Sequence, residues 1–292
     1  MTSSRRSPPW KISAVVSDVD GTLVTDDKTL TARAIAAVAE LHTHGILFSI
    51  ISSRPPRGVR GLIDSLTIAT PVGCFNGGVI VKPDLSVISE HLLSPQVARR
   101  AVAMLDASGV GAWIFAGREW VTRDGHGAYT DLEERTIGFG PTIVKDLGPA
   151  LDIAAKIVGV SADHEALARC ERDTRGKLAG EATVARSQAY YLDITPPLAN
   201  KGAGLLELSK LLAIPLAEIA VVGDGGNDVA MFEQAGFSIA MGNASAEVKR
   251  AADCVTDSNR EDGFANAIER YILGGEHPSG RVERAPAGES AC

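Results

Sequence analysis

Two short, mainly apolar runs in this sequence each end in a cluster of carboxylates. Residues 12–17 lead into Asp18 and Asp20, and residues 219–223 lead into Asp224 and Asp228. Nearly continuous apolar runs of this length are typical of strands that are buried on both faces of a parallel sheet. Because open α/β sheets bind their ligands at the carboxyl ends of such strands, both clusters are expected at a ligand crevice.

Strand and helix patterns alternate around these runs. A helical pattern at residues 31–44 separates strand patterns at 12–17 and 46–51, and a further helix is expected to begin at Pro55 and Pro56. The C-terminal third repeats the alternation, with helices predicted at 201–212, 227–235, 246–251 and 263–272 and strands at 219–223 and 237–241. This succession predicts an α/β fold with a parallel sheet.

The middle of the chain has a different pattern, with short strands and fewer helices. Strands are predicted at 111–115, 120–122, 142–144, 153–158, 182–186 and 190–194, and helices at 95–107 and 162–172. We therefore predict an α+β domain at residues 83–195, inserted into a core formed by residues 11–82 and 196–273. Residues 1–10 and 274–292 are rich in Ser, Pro, Gly and charge and are predicted to be flexible tails.

Length and charge narrow the function classes. The 292 residues suggest two domains, although one large α/β domain is also allowed. With 29 basic against 36 acidic residues the formal net charge is -7, so the chain lacks the basic excess that binding to a phosphate backbone requires, and no nucleic-acid partner is expected. No apolar run is long enough to span a membrane. The four cysteines show no disulfide or zinc spacing, so a reducing cytoplasm is expected.

The first carboxylate cluster has the residue types needed for covalent catalysis. Asp18 and Asp20 can act as nucleophile and acid/base if a cation offsets their repulsion. The simpler interpretation is a turn that ends a strand. The second cluster, Asp224 with Asn227 and Asp228 among glycines, suits an oxygen-ligated cation such as Mg²⁺. A capped glycine turn would explain Asn227 and Asp228 but not Asp224.

Two further segments can contact an anion. Lys201 stands next to Gly202, at the predicted first turn of a helix. A cation at this end opposes the helix dipole, so an anion near Lys201 would be stabilising. Ser52, Ser53 and Arg54 follow the second strand and precede a helix that starts with proline, so their hydroxyls and amides can face a phosphate. Taken alone, Lys201 could be an ordinary surface lysine, and residues 52–54 could be an ordinary loop.

Together these segments resemble the haloacid dehalogenase superfamily, and most closely its Cof-type (subclass IIB) phosphatases. Residues 18–22 match the first motif of the family, Ser52 the second, Lys201 the third and residues 223–228 the fourth. The resemblance covers about residues 12–273. It implies a Rossmann-like parallel-sheet core, with the inserted α+β domain as a cap.

The resemblance also implies a role for each matched residue. Asp18 would become an aspartyl-phosphate, and Asp20 would protonate the leaving alcohol and then activate water. Mg²⁺ would be held by Asp18, the Asp20 carbonyl and Asp224, with Asp228 in support. The phosphoryl oxygens would be bound by the Val19 backbone, Ser52, Ser53, Lys201 and Asn227. Ser53 stands where the family usually has glycine, and a left-handed backbone there would be strained.

The expected substrate is a small phosphorylated metabolite, such as a sugar phosphate or a phosphorylated coenzyme. The alternatives are a phosphosugar mutase of the same superfamily and a catalytically silent regulator that binds sugar phosphates. Candidate substrate contacts in the cap are Arg118, Trp120, Arg123 and His126. Hinges between core and cap are expected near Gly77 and Gly78 and near Pro196 and Pro197, because glycines absorb backbone changes.

Overall fold

The computed structural model describes residues 11–125, 127 and 129–274. Apart from residue 274, both predicted tails lie outside these residues. The strands are β1 (Ala14–Ser17), β2 (Leu47–Ile50), β3 (Val72–Cys74), β4 (Val79–Val81), β5 (Val87–Glu90), β6 (Gly111–Ala116), β7 (Glu119–Thr122), β8 (Thr142–Ile143), β9 (Ala154–Val160), β10 (Thr183–Gln188), β11 (Tyr191–Thr195), β12 (Ile219–Gly223), β13 (Phe237–Ala240) and β14 (Cys254–Val255).

The helices are α1 (Ala32–Thr43), α2 (Arg60–Ser65), α3 (Pro95–Ala107), α4 (Thr130–Ile137), α5 (Gly148–Leu151), α6 (His164–Lys177), α7 (Lys201–Leu212), α8 (Val229–Phe232), α9 (Ala246–Ala251) and α10 (Gly263–Ala267). Tight helical turns lie at Pro56–Val59, Phe75–Gly77, Leu216–Glu218, Gly226–Asp228 and Asn259–Glu261, and a wider π-helical segment lies at Ile268–Leu273.

A parallel sheet forms the core. Within the described ranges it has five strands in the order β14-β13-β12-β1-β2, and all the pairs are parallel. Val15 belongs to the apolar cluster that contains Leu41 of α1, whereas the next residue, Val16, belongs to the cluster that contains Leu205 of α7. Successive strand residues point to opposite faces, so helices cover the sheet on both sides. The predicted α/β class is confirmed.

Helix α1 shows how local sequence sets the boundaries of an element. The Thr31 side chain accepts a hydrogen bond from the Ala34 N–H at 3.1 Å and caps the first turn. Gly45, with φ +71°, follows the last turn and permits the left-handed conformation that ends many helices. Both features match the helix that the sequence predicts at residues 31–44.

A small antiparallel sheet connects the core to the inserted domain. In the part of the chain that is described, it contains β3, β4 and β5, and a bridge between Ile51 and Gly73 joins it to the core. The sequence analysis predicted no strands here. Because β4 and β5 pair with each other, this sheet spans the predicted boundary between residues 82 and 83. The domain division remains a prediction.

The inserted domain is built around a mixed sheet. Among the described residues it has six strands in the order β10-β11-β9-β6-β7-β8, antiparallel except for the β7–β8 pair. Each predicted strand of this domain is present, and the helix predicted at 162–172 is α6, which Asp163 caps through the Glu165 and Ala166 N–H groups. Helix α4 was missed. Only Thr130 and Ile137 of α4 are buried, so it lacks an apolar stripe.

The cap sheet packs directly on the core. The Phe115 ring of β6 lies 5.6 Å from the Phe75 ring of the core, and one apolar cluster runs through both domains. The opposite face of the cap sheet belongs to a separate cluster, which contains Val102 of α3 and Leu167 of α6. One face of the cap sheet is therefore turned towards the core. No helix in the described ranges is both long and apolar enough to cross a membrane.

Candidate active site

Asp18 directly follows β1, which lies between β12 and β2 in the core sheet. Its N–H donates to the Val222 carbonyl of β12 at 2.9 Å, so the ends of the two strands stay aligned. The chain then turns sharply at Gly21, with φ +88°. A Cβ atom at Gly21 would lie 2.4 Å from Asp224 Oδ2, so only glycine allows the first and second carboxylate clusters to approach each other.

Lys201 is the first residue of α7 and is fully buried. The Asn200 side chain caps this helix by accepting the Ala203 N–H at 2.9 Å. Lys201 Nζ contacts Asp18 Oδ1 and lies 2.6 Å from Asp228 Oδ1. A buried ammonium at a helix N-terminus is unfavourable on its own, and these two carboxylates compensate for it.

Asp228 is also fully buried, in the turn after β12. Its Oδ2 accepts the N–H groups of Asp224 at 2.9 Å and Gly225 at 2.8 Å, while its Oδ1 accepts from Lys201. The carboxylate therefore fixes both the loop and the lysine. The sequence predicted a helix over 227–235, but the structure has a tight turn at Gly226–Asp228 followed by the four residues of α8.

Two donors orient Asp224. Thr22 Oγ1 donates to Asp224 Oδ1 at 3.0 Å, and Asn243 Nδ2 donates to Asp224 Oδ2 at 3.0 Å. Asn243 also donates to the Gly21 carbonyl at 2.9 Å, so it joins the two acidic loops. The sequence analysis missed Asn243. Asn243 follows the predicted strand at 237–241 by two residues. Because that strand lies next to β12, this position could have indicated that Asn243 lies near Asp224.

Asp18, Asp224 and Asp228 form a concentrated negative cluster, with ligand oxygens within 4.8 Å of one another. Burial raises the pKa of Asp18, Lys201 opposes this rise, and the other two carboxylates add to it. Burial and Asp228 likewise raise the pKa of Asp224. Burial lowers the pKa of Lys201, but Asp18 and Asp228 outweigh it and raise that pKa overall. A divalent cation here would favour the ionised forms of these carboxyl groups, whose pKa values are raised in its absence, and hard oxygen ligands of this kind fit such an ion.

Asp20 lies outside this cluster. Its carboxylate accepts two hydrogen bonds from Arg54, at 2.8 Å from Nε and 2.7 Å from Nη2, and Lys28 Nζ lies 2.9 Å away. Burial raises the pKa of Asp20, but Arg54 and Lys28 outweigh it and lower the pKa to about 2. The carboxyl is therefore ionised at neutral pH. The sequence analysis gave no role to Lys28 and no contact with Asp20 to Arg54, although Arg54 directly follows Ser52 and Ser53.

The predicted phosphate contacts lie around these acidic loops. Ser52 is fully buried, and its Oγ accepts the Arg54 N–H at 3.1 Å. Ser53 is half-buried and lies outside the left-handed region, so serine replaces the usual glycine without backbone strain. Asn227 is exposed and donates to Asn76 Oδ1 at 3.0 Å. Val19 is fully buried, and its carbonyl accepts hydrogen bonds within the turn.

A cavity of about 350 Å³ lies between the core and the cap, and Asp20 is part of its wall. The core contributes Lys28, Ser53 and Arg54, and the cap contributes residues of α4, β9 and β11. The cavity therefore places cap side chains opposite Asp20. Such a position suits the part of a substrate that leaves after bond cleavage.

Of the predicted cap contacts, the three that are described, Arg118, Trp120 and Arg123, do not line this cavity. Trp120 is fully buried against the Trp113 and Phe115 rings. Arg118 donates to the Leu85 carbonyl at 3.3 Å, and Arg123 pairs with Asp106 at 3.0 Å. His126 lies outside the described residues. These four contacts stay predictions, since they rest on residue type, whereas the packing of the sheet and α4 decides which residues face the core.

Comparison with known proteins places the chain in a family. Residues 15–268 match the haloacid dehalogenase-like hydrolase family. A similar solved structure is a haloacid dehalogenase-like hydrolase from Bacteroides thetaiotaomicron, with a TM-score of 0.83, 29% identity, and coverage of 90% of this chain and 100% of that chain. The predicted core with an inserted cap agrees with this fold.

Two curated relatives carry the names of specific phosphatases. A 5-amino-6-(5-phospho-D-ribitylamino)uracil phosphatase from Bacillus subtilis is 25% identical, and the match covers 90% of this chain and 96% of the relative. An HMP-PP phosphatase from Cronobacter sakazakii is 29% identical, and the match covers 79% of this chain and 84% of the relative.

Proposed function

The chain belongs to the haloacid dehalogenase-like hydrolases, and we propose that it is a Mg²⁺-dependent phosphatase that cleaves small phosphate monoesters through an aspartyl-phosphate. One observation carries this proposal. Asp18 contacts the fully buried Lys201, and its carboxylate belongs to a cluster with Asp224 and Asp228 within 4.8 Å. A carboxylate next to a fixed cation and further hard oxygen ligands is equipped to attack an anionic phosphoryl group.

Asp18 is the proposed nucleophile. One of its carboxylate oxygens attacks phosphorus, the bond from phosphorus to the leaving oxygen breaks, and the phosphoryl group stays on Asp18. Water then attacks phosphorus, the bond to Asp18 breaks, and inorganic phosphate leaves. Lys201 holds Asp18 in place and offsets the charge that gathers during each displacement.

Asp20 is the proposed proton carrier. In the first step it passes a proton, brought by the monoanionic phosphoryl group, to the leaving oxygen, so an alcohol departs. In the second step its carboxylate takes a proton from the attacking water. Arg54 and Lys28 keep the pKa of Asp20 near 2 before substrate binds, so the carboxyl begins in the form that accepts a proton.

The carboxylate cluster is the proposed Mg²⁺ site. Asp18, Asp224 and the backbone carbonyl of Asp20 would hold the ion, and Asp228 would support them through Lys201 and the loop N–H groups. Mg²⁺ supplies positive charge that reduces the repulsion between the nucleophile and the phosphoryl group. The oxygen donors at this position are those that Mg²⁺ prefers.

The remaining matched residues are proposed contacts of the phosphoryl oxygens. They are the Val19 backbone, Ser52, Ser53, Lys201 and Asn227. Their support is their position around the two acidic loops. A cavity of about 350 Å³ accommodates a small leaving group, which favours phosphorylated sugars and coenzymes.

A phosphate-release screen tests the proposal. Sugar phosphates, phosphorylated coenzymes, nucleotides and p-nitrophenyl phosphate are incubated with the protein, with Mg²⁺ and with EDTA. We expect release only with Mg²⁺, and none from the Asp18→Asn variant, because an amide keeps the shape of the side chain but is not a nucleophile. Turnover by Asp18→Asn at the wild-type rate would overturn the mechanism.

Two further measurements separate the alternatives. A mutase would transfer the phosphoryl group to a second sugar position and would depend on a bisphosphate activator, whereas a silent regulator would release no phosphate. For the phosphatase, rapid acid quenching followed by mass spectrometry should find a phosphoryl group on Asp18. This species should accumulate in Asp20→Asn with an aryl phosphate, because aryl leaving groups need little acid assistance whereas hydrolysis still needs the base.

A further inference from the structure

The cap wall of the cavity carries side chains of opposite charge. Lys156 lies on β9, Asp193 on the neighbouring β11, and Glu133 on α4. Lys156 Nζ is 2.8 Å from Asp193 Oδ2, and these side chains are only 11% and 13% exposed. A nearly buried ion pair of this kind requires partners for its remaining polar atoms.

One atom of this wall has no such partner. Asp193 Oδ1 is buried and accepts no hydrogen bond from the described part of the chain. Buried polar atoms in folded proteins nearly always have a hydrogen-bond partner. Because Asp193 lines the cavity, a donor on a bound molecule can supply the missing bond. A carboxylate oxygen selects an O–H or N–H group and repels an anionic one.

The cations around the cavity are already paired. Of the described residues that line it, Lys28 and Arg54 contact the Asp20 carboxylate, and Lys156 contacts Asp193. A phosphate or carboxylate on the leaving group would therefore meet no unpaired cation among these residues.

Glu133 adds a further carboxyl group to the cap wall. Burial raises its pKa, Lys156 opposes this rise, and Asp193 adds to it. This wall thus holds one cation against two carboxyl groups. An uncharged leaving group with several hydroxyls fits these surroundings better than one that carries another anion.

We propose that Glu133, Lys156 and Asp193 form a leaving-group subsite that binds hydroxyl groups and disfavours esters with a second anionic group. The subsite rests on the proposed function, because it assigns the leaving-group side of the same active site. Asp193 Oδ1 accepts a hydroxyl of the leaving group, and Lys156 holds Asp193 in position. The preferred substrates are sugar or polyol monophosphates over bisphosphates and phosphorylated acids.

A matched pair of esters tests this subsite. Sorbitol 6-phosphate and 6-phosphogluconate differ at one end of the chain, where the second has a carboxylate in place of a hydroxymethyl group. The ratio of kcat/KM for the two esters is measured in wild type and in Asp193→Asn. An ester that turns over too slowly is measured as a competitive inhibitor of p-nitrophenyl phosphate hydrolysis, and the ratio of inhibition constants is used.

We expect wild type to favour sorbitol 6-phosphate and Asp193→Asn to lose about tenfold of this preference, because the substitution removes one negative charge and leaves Lys156 unbalanced. Asparagine has only one acceptor oxygen, and Lys156 competes for it, so kcat/KM for sorbitol 6-phosphate should fall while that for 6-phosphogluconate falls less or rises. Glu133→Gln, on a half-exposed helix position, should shift the ratio in the same direction and provides the test if Asp193→Asn does not fold.

Asp152→Asn is the matched control. It makes the same change of charge on an exposed cap residue that pairs with Arg99 and does not line the cavity, so the ratio should remain that of wild type. The subsite is wrong if wild type handles both esters equally, or if the folded variants at Asp193 and Glu133 leave the ratio unchanged. Failure of the proposed function is distinct, since wild type would then release no phosphate from any ester.

Discussion

At the scale of single residues, the active site separates two carboxylates that stand only two positions apart. Asp18 faces Lys201 and the other acidic loop, whereas Asp20 faces Arg54, Lys28 and the cap cavity. Gly21, with φ +88°, directly follows Asp20, and its lack of a side chain lets this loop approach Asp224 of the second acidic loop. The two side chains therefore experience opposite electrostatic surroundings, which suits one nucleophile and one proton carrier.

The surroundings of Asp20 predict a pH-dependent contribution to stability. Its pKa is lowered from 3.8 to about 2, which corresponds to about 2 kcal/mol of the free energy of unfolding. Because the pKa is lower in the folded state, this stabilisation is present above about pH 4 and is lost as the pH falls through 2.

Denaturant unfolding of wild type and Asp20→Asn in metal-free buffer at several values between pH 3 and pH 6 measures this contribution. The difference between the two proteins should shrink as the pH falls. A difference that does not vary with pH would contradict the assigned ion pairs.

The acidic cluster predicts that Mg²⁺ stabilises the fold. A ligand that binds only the folded state adds about 2.7 kcal/mol to the free energy of unfolding when its concentration is 100 times its Kd. Mg²⁺ should therefore raise the Tm of wild type. Asp224→Asn should need more Mg²⁺ for the same increase, because it removes a charged ligand but keeps an oxygen near Thr22.

Calorimetry across a Mg²⁺ titration provides the measurement, and Asp106→Asn, an exposed cap carboxylate paired with Arg123, is the control that should respond like wild type. If Mg²⁺ leaves the Tm of wild type unchanged, the cluster does not bind the ion.

At the scale of elements, helix α7 positions Lys201 through a very close backbone contact. A Cβ atom at Gly204 of α7 would lie 2.8 Å from the Gly77 Cα, and one at Gly77, where φ is +87°, would lie 2.6 Å from the Gly204 Cα. Neither glycine leaves space for a side chain. The loop at Gly77 therefore sets how far α7, and with it Lys201, sits from the end of β1.

Gly204→Ala should push α7 away from this loop. We expect a loss of about 1–3 kcal/mol in the free energy of unfolding and a lower kcat, because Lys201 moves with its helix. Urea unfolding and steady-state kinetics measure both effects. Gly176→Ala in α6 is the control. No atom crowds a Cβ there, so it should stabilise the protein by up to about 1 kcal/mol and leave kcat unchanged.

At the scale of the whole molecule, the site depends on how the cap meets the core. Besides the contact between Phe75 and Phe115, the Arg57 guanidinium of the core lies 4.0 Å from the centre of the Phe139 ring of the cap. Ile137 of α4 packs close to Gly58 of the core. A Cβ atom added at Gly58 would lie 3.3 Å from the Ile137 Cβ. These contacts border α4, which lines the cavity, so they hold the cap against the core, and we call this packed arrangement the closed form.

Phe139→Ala should weaken closure without changing selectivity. An exposed cation–π contact contributes about 0.5–1 kcal/mol, so the population of the closed form should fall and KM should rise about two- to fivefold for every ester. Arg57→Ala should give a similar increase, and the double variant should add little, since both remove the same contact. Steady-state kinetics with the two polyol esters measures this. A changed ratio between them would place Phe139 in contact with the leaving group.

Much of this architecture follows from local sequence. Apolar runs that end in carboxylates predicted β1 and β12, and their alternation with helices predicted the parallel sheet. The carboxyl ends of parallel strands lie at the same edge of the sheet, so the sequence alone predicts that Asp18 and Asp224 lie close together. The same reasoning placed Lys201 at a helix start, where Asn200 caps the first turn.

Tertiary structure decided which partner each side chain meets. The ion pair of Asp20 with Arg54, the bridge made by Asn243 and the pair of Lys156 with Asp193 all join residues that are far apart in sequence. Periodicity indicates which face of an element is buried, but not what lies against it. The cap wall was missed for this reason. It depends on how α4 and two strands pack over the core, and that packing is set by long-range contacts that no local pattern records.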